Sequence, residues 1–210
     1  MKYALVFLLA LALAVVLPTG LLGQTKTSVF GTDHDVGGSG CAACHVPHTA
    51  QTNAGRGQTL LWARPFSTTI FGTYDSPTMD ETAQEIGDSA YGDANPPSGA
   101  KLYSVLCMSC HDGITAPTVI GPTENAAVGH PTNSAGLSDD HPVNMIYSTS
   151  DAGLESPTTA VSNGVVLYDD GGNNTVQCAS CHNVHDNSIS PFLRVANSNS
   201  KQGLCGACHL

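Results

Sequence analysis

The chain has 210 residues and a formal net charge of −10, from seven Lys plus Arg against 17 Asp plus Glu. That balance excludes a polyanion such as nucleic acid as its partner. With 22 Gly, 12 Pro, one Trp and 6% aromatic residues, an ordinary core of large side chains is excluded too. A chain of this make-up either orders itself around staples, metals or cofactors or stays disordered.

Taken in chain order, Lys2 and the apolar run from Tyr3 to Leu17, ended by Pro18, Gly20 and Gly23, read as a secretory signal over residues 1–23. The run is shorter than the roughly 20 residues of a membrane span. No Cys follows it to carry a lipid, and no later segment is apolar enough to span a bilayer. Residues 24–210 are then expected as one exported domain with no stable membrane span after signal removal.

Gly31-Thr32-Asp33-His34-Asp35 leads into a first cysteine pair. Residues 78–89 are expected as one acidic helix. Pro97-Ser98-Gly99-Ala100-Lys101 offers a helix start, with Leu102, Val105 and Leu106 running into a second pair. His130 precedes Pro131, and His141 sits in Asp140-His141-Pro142-Val143. The following proline holds each His in extended backbone, which suits a ligand delivered from a loop. Residues 164–168 and 175–177 flank Asp169-Asp170-Gly171-Gly172 and read as a β-hairpin. Asn173-Asn174-Thr175 beside that turn is a glycosylation sequon. Ser200-Lys201-Gln202 is expected to open a short helix before the last cysteine pair. The rest is Gly, Pro, Ser and Thr loop. Loops of this length argue against a compact fold unless something besides side chains fills its centre.

All eight cysteines fall in one repeated motif: Cys41-Ala42-Ala43-Cys44-His45, Cys107-Met108-Ser109-Cys110-His111, Cys178-Ala179-Ser180-Cys181-His182 and Cys205-Gly206-Ala207-Cys208-His209. Cys-x-x-Cys-His is the attachment signature of c-type haem. Two intervening residues set the sulfurs about one helical turn apart, matching the two vinyl groups to which they add as thioethers. The adjacent His then reaches the iron as proximal ligand. A disulfide framework suits eight Cys in an exported chain but does not explain a His after every pair. With nine His in 210 residues, four chance placements have odds on the order of one in a few hundred thousand. A zinc ribbon needs pairs separated by roughly 15 to 20 residues, and none of these gaps fits. Thioredoxin-like chemistry uses one pair in a βαβ setting, and none is legible here. The expectation is four covalent haems c, which would themselves form the core of a mostly irregular, loop-rich fold with a few short helices and one hairpin.

Each of four irons takes a second axial ligand unless a site is left open. His34, His48, His130, His141 and His185 remain. Met79 and Met145 are the alternatives, since Met1 leaves with the signal and Met108 sits inside a motif. Histidine suffices in number, so bis-His ligation is expected throughout. Methionine ligation raises potential, so low-potential haems follow. His48 and His185 each lie three residues past a proximal His, too close to wrap around their own porphyrin. Each is expected to ligate a neighbouring haem and force close pairs. One of the five is surplus, and His130 is the expected one. Catalytic residues are not expected.

The ordered set of Gly-Thr-Asp-His34-Asp, Cys-Ala-Ala-Cys-His-Val-Pro-His48, Leu-Tyr-Ser-Val-Leu-Cys-Met-Ser-Cys-His-Asp-Gly at 102–113, Leu-Ser-Asp-Asp-His141-Pro-Val, Cys-Ala-Ser-Cys-His-Asn-Val-His185-Asp, Pro-Phe-Leu-Arg at 191–194 and a terminal Leu-Cys-Gly-Ala-Cys-His resembles the tetrahaem cytochromes that polymerise into extracellular filaments, the OmcE type. The likeness runs over nearly the whole of 24–210. It implies a loop-rich fold, bis-His ligation with His34, His48, His141 and His185 as distal ligands, and a continuous haem chain along the filament. It also implies one axial His donated across a subunit boundary, for which His34 is the candidate. His130 departs from the pattern. The function implied is long-range electron transport as the protomer of a secreted filament at the cell surface, exchanging electrons with redox partners. The competing readings are a monomeric exported shuttle and a multihaem reductase. A reductase needs an iron with an open position, and five spare histidines give no sign of one.

Overall fold

The computed structural model describes residues 29–46, 61–64, 73–83, 86, 103–111, 137, 140–169, 172–197 and 203–210. Regular structure is short, and much of it coincides with the cysteine pairs. Two 3-10 segments, Val36–Gly38 and Gly40–Ala43, precede helix α1 at Tyr103–His111. Strand β1 at Met145–Ile146, helix α2 at Pro157–Ser162 and strands β2 at Tyr168–Asp169 and β3 at Asn174–Val176 follow. Helix α3 at Cys178–Cys181 and a 3-10 turn at Cys205–Ala207 complete the order.

The expected hairpin is present, with Tyr168 opposite Thr175 and Asp169 opposite Asn174. Gly172 closes it at φ 115°, a conformation open to glycine, and its N–H donates to the Asp169 carboxylate at 2.8 Å. β1 adds to the other side of β3, giving the antiparallel order β1-β3-β2. The sequence carries no signal for it, because two residues show no period. Asn144 sets its start: the residue is at φ 59°, which Asn tolerates better than most, and its N–H donates to Val176 at 2.7 Å.

The acidic helix expected over 78–89 does not form in its described part, residues 78–83, which are turn and extended chain. The Met79 N–H returns to the Ser76 carbonyl at 3.0 Å, and the Thr78 N–H to the Ser76 hydroxyl at 3.3 Å. These local bonds across Pro77 give the backbone an alternative to helix. The helix starts expected at 97–101 and 200–202 lie outside the described residues. α2 begins by the expected chemistry of a cap: Pro157 holds its first position, and Ser156 accepts from the Thr159 N–H.

Two small apolar clusters hold the described residues. Ile86, Val105, Met108 and Leu137 form one, with Val143 against it. Tyr147, Ala160, Val165 and Ala207 form the other, flanked by Leu154, Val176, Val195 and Leu204. Each contains residues of a cysteine motif, so the attachment turns are seated in what core there is. No helix among the described residues is long and apolar enough to cross a membrane.

Candidate haem centres

Each cysteine pair sits on a single helical turn. The His45 N–H returns to Cys41 at 2.9 Å, His182 to Cys178 at 3.1 Å and His209 to Cys205 at 2.9 Å. The second pair, Cys107 and Cys110, lies within α1, which ends at His111. No disulfide joins any of the eight cysteines.

Beyond the turn, three of the four motifs close in the same way. After the histidine, one N–H bonds to a short extended segment, and that segment returns an N–H to the second Cys carbonyl. At the first motif the bonds are Val46 to Leu61 at 2.9 Å and Ala63 to Cys44 at 2.8 Å. At the third they are Asn183 to Phe192 at 2.7 Å and Arg194 to Cys181 at 2.9 Å. At the fourth they are Leu210 to Gly153 at 3.0 Å and Glu155 to Cys208 at 2.8 Å. The residue facing the histidine is Trp62, Leu193 or Leu154. At the first and third motifs the copy extends to backbone strain, with Leu61 at φ 56° and Phe192 at φ 59°. This three-residue clip fixes the chain on both sides of the proximal His. Trp62 also sets its indole edge against the His45 ring, centroids 5.8 Å apart.

The motifs are tied to one another in sequence order. Trp62 donates from its indole N–H to the Ser109 hydroxyl, inside the second motif, at 3.1 Å. α1 is joined to α3 by Gln177, which is buried. Its side-chain oxygen accepts from the Ser104 hydroxyl at 2.6 Å and from the Ser104 N–H at 3.2 Å. Its amide donates to Asn144 at 3.2 Å, and the Ser104 hydroxyl in turn takes the Cys178 N–H at 3.1 Å. The Asn163 amide holds the Ala207 carbonyl of the fourth motif at 3.2 Å.

The thiols report the same order electrostatically. Burial, then the nearby Cys110, pushes Cys44 up. The hydrogen bond shared by Cys107 and Cys178 raises the first and lowers the second. Burial, then Cys208, pushes Cys181 up to about 11. Attachment points one to four thus form a contiguous series.

The histidines pair across motifs. His45 faces His185 with ring centroids 6.4 Å apart and planes 17° apart. His34 faces His111 at 6.1 Å and 46°. His141 faces His209 at 6.3 Å and 71°. Every pair joins one motif histidine to one non-motif histidine. With a metal–nitrogen bond of about 2.0 Å and about 1.2 Å from nitrogen to ring centre, two imidazoles sharing one metal stand about 6.3 Å apart.

The nitrogens are prepared for such a role. The carbonyl of Pro142 can only accept, so His141 donates to it from Nδ1, at 3.0 Å, and keeps its lone pair on Nε2. His182 does the same toward Pro191 at 3.1 Å. Such a bond fixes the tautomer of a metal-ligating imidazole. His34 carries a buried Nδ1 with no hydrogen-bond partner, and its ring packs edge-on against Phe192 at 4.4 Å. Burial, then His111, lowers the pKa of His34, and burial lowers that of His141. Both stay neutral, the ligating form. Among the described residues no three His, Cys, Asp or Glu converge on a bare metal ion. Two imidazoles across from each other, with a covalent anchor beside them, are the donor set of a haem iron that brings four nitrogens of its own. The residues present therefore fit the group.

His48 and His130 lie outside the described residues, and so does any pairing of His182 with either. Met108 is fully buried in the first apolar cluster, and Met145 lies in β1. His34 stands over His111 of its own chain. Sequence reasoning missed Asp35, Trp62, Arg64, Leu154, Gln177 and Leu193. The only signal was the pairing of Leu-Trp-Ala-Arg after the first motif with Phe-Leu-Arg after the third, at different distances from their motifs.

A scan against protein-family models finds no match for this chain, and a search of curated proteins finds no relative.

Proposed function

We propose that the chain carries electrons through four covalently attached c-type haems with two histidines on each iron, as the protomer of a secreted filament. The observation that supports this reading best is the set of three cross-motif histidine pairs, at 6.1, 6.4 and 6.3 Å. Each pair is anchored by a Cys-x-x-Cys turn.

When bound, the haems supply reversible one-electron chemistry at iron. The chain's own residues hold the sites. Cys41 and Cys44, Cys107 and Cys110, Cys178 and Cys181, and Cys205 and Cys208 anchor them covalently. His45, His111, His182 and His209 serve as proximal ligands, with His185, His34 and His141 opposite the first, second and fourth. His48 is the distal candidate for the His182 centre. With two histidines held by the chain at each iron, no ligand place would be left open, which favours electron transfer over reduction of a bound substrate. The ties of Trp62 to Ser109 and of Ser104 to Gln177 keep the first three attachment turns in contact, and Asn163 holds the fourth turn against α2. A connected path for electrons requires such contact.

Expression in a host that matures c-type cytochromes tests the reading. Four haem masses are expected on the secreted chain, with a fully low-spin spectrum, and electron microscopy of the secreted fraction is expected to show haem-containing filaments. Monodisperse particles only would leave the shuttle reading in its place, and a chain without haem would sink both.

A further inference from the structure

The clips of the three motifs differ in the charge set at or beside them. At the first motif Arg64, the residue that follows the clip, donates from Nε to the Ala43 carbonyl at 3.1 Å. At the third, Arg194 donates from Nε to the Ala179 carbonyl at 2.8 Å. Ala43 and Ala179 both lie between the two cysteines of their motifs. Two of the three arginines in the chain donate into the turn between a motif's two cysteines. The side chains are half-buried, and neither guanidinium is ion-paired among the described residues, although acids outnumber bases 17 to seven.

At the fourth motif the clip residue equivalent to Arg194 is Glu155. Its N–H bonds to Cys208 at 2.8 Å, and its carbonyl accepts from the Tyr147 hydroxyl at 2.8 Å. That hydroxyl also reaches the Cys208 carbonyl at 3.3 Å. Glu155, with Asp151 four residues before it, makes this segment acidic where the other two carry an arginine.

Resting on the electron-carrier reading above, we infer that the clip sets the redox potential of the haem it closes. Arg64 and Arg194 raise the His45 and His182 centres, and Glu155 lowers the His209 centre. A haem iron that takes one electron, from ferric to ferrous, loses one unit of positive charge. A fixed cation beside the anchor therefore favours the reduced form, and a fixed anion disfavours it. All three charged residues are half-buried, where a charge is screened less than at the open surface. The expected shift is about tenfold in the redox equilibrium of one haem, or about 59 mV for a one-electron couple.

The test uses the full haem-loaded protein. R64Q, R194Q and E155Q are compared with wild type by optical potentiometric titration, after mass spectrometry counts the haems. R64Q and R194Q each move one haem's share of the absorbance change down by about 59 mV, and E155Q moves one share up by about as much. R64K and R194K keep the charge, and their potentials stay close to wild type. A loss that is merely structural cannot give opposite signs. The inference is overturned if the three variants with four haems all shift in one direction or not at all. It is overturned equally if the lysine variants fall as far as the glutamine ones. A wild-type chain that carries no haem would instead remove the electron-carrier reading itself.

Discussion

Asp35 and Gln177 show how single side chains hold candidate ligands in place here. The Asp35 carboxylate accepts from the Gly31 N–H at 2.9 Å and the Gly40 N–H at 2.8 Å, closing the loop that presents His34. These two backbone bonds draw its pKa below the ordinary carboxylate range. A depressed folded pKa favours the ionised form. The loop's hold is therefore complete above about pH 4 and lost only as pH falls through the lower folded value. Asp35→Ala is expected to release His34 and turn one haem in four partly high-spin at pH 7, read by resonance Raman. The wild type stays low-spin at pH 5. Gln177 acts inside the protein. Gln177→Leu leaves the Ser104 N–H and the Asn144 side-chain oxygen buried without this partner, at roughly 2–4 kcal/mol. Guanidinium unfolding of the haem-loaded protein is expected to show that loss with an unchanged slope. Neither residue was legible from sequence as more than polar loop, because its partners lie next to distant motifs.

At the scale of elements, the first attachment turn depends on a glycine. Gly40 sits at φ 53° immediately before Cys41, and a Cβ there would stand 2.3 Å from Cε1 of Phe30. Phe30 is 62% exposed, so its ring can swing aside and the clash is cheap. The positive φ is the durable cost. Gly40→Ala is expected to destabilise the protein by about 1 kcal/mol, and adding Phe30→Ala should not restore it. Full recovery in the double variant, by thermal or denaturant unfolding, would show that packing and not backbone was limiting. The β2–β3 hairpin was readable because turn chemistry is local: Asp169 and Gly172 do the same work in any context. The clips were not, because three extended residues show no period and their partner is a motif elsewhere in the chain. The helix expected over 78–89 gave way in its described part for a related reason, a Ser76 hydroxyl bonding to the backbone across Pro77.

At the scale of the whole molecule, ligation and chain order separate. His185 follows the third motif by three residues but faces His45 of the first. His185→Ala is therefore expected to make one haem high-spin, and that signal should vanish when Cys41 and Cys44 are also replaced by Ala. It should persist when Cys178 and Cys181 are replaced instead; the reverse pattern would show that His185 serves its own motif. The sequence by itself determined the number and spacing of the thiol pairs, the histidine that follows each and the supply of further histidines, because a two-residue spacing between thiols is a local fact. It also showed that side chains alone make a poor core. Only the tertiary structure decided which histidine faces which, that the first three cysteine turns are tied in sequence order, and that Arg64, Arg194 and Glu155 stand beside such turns. Those are contacts between segments separated by tens to more than a hundred residues, and no local propensity encodes them.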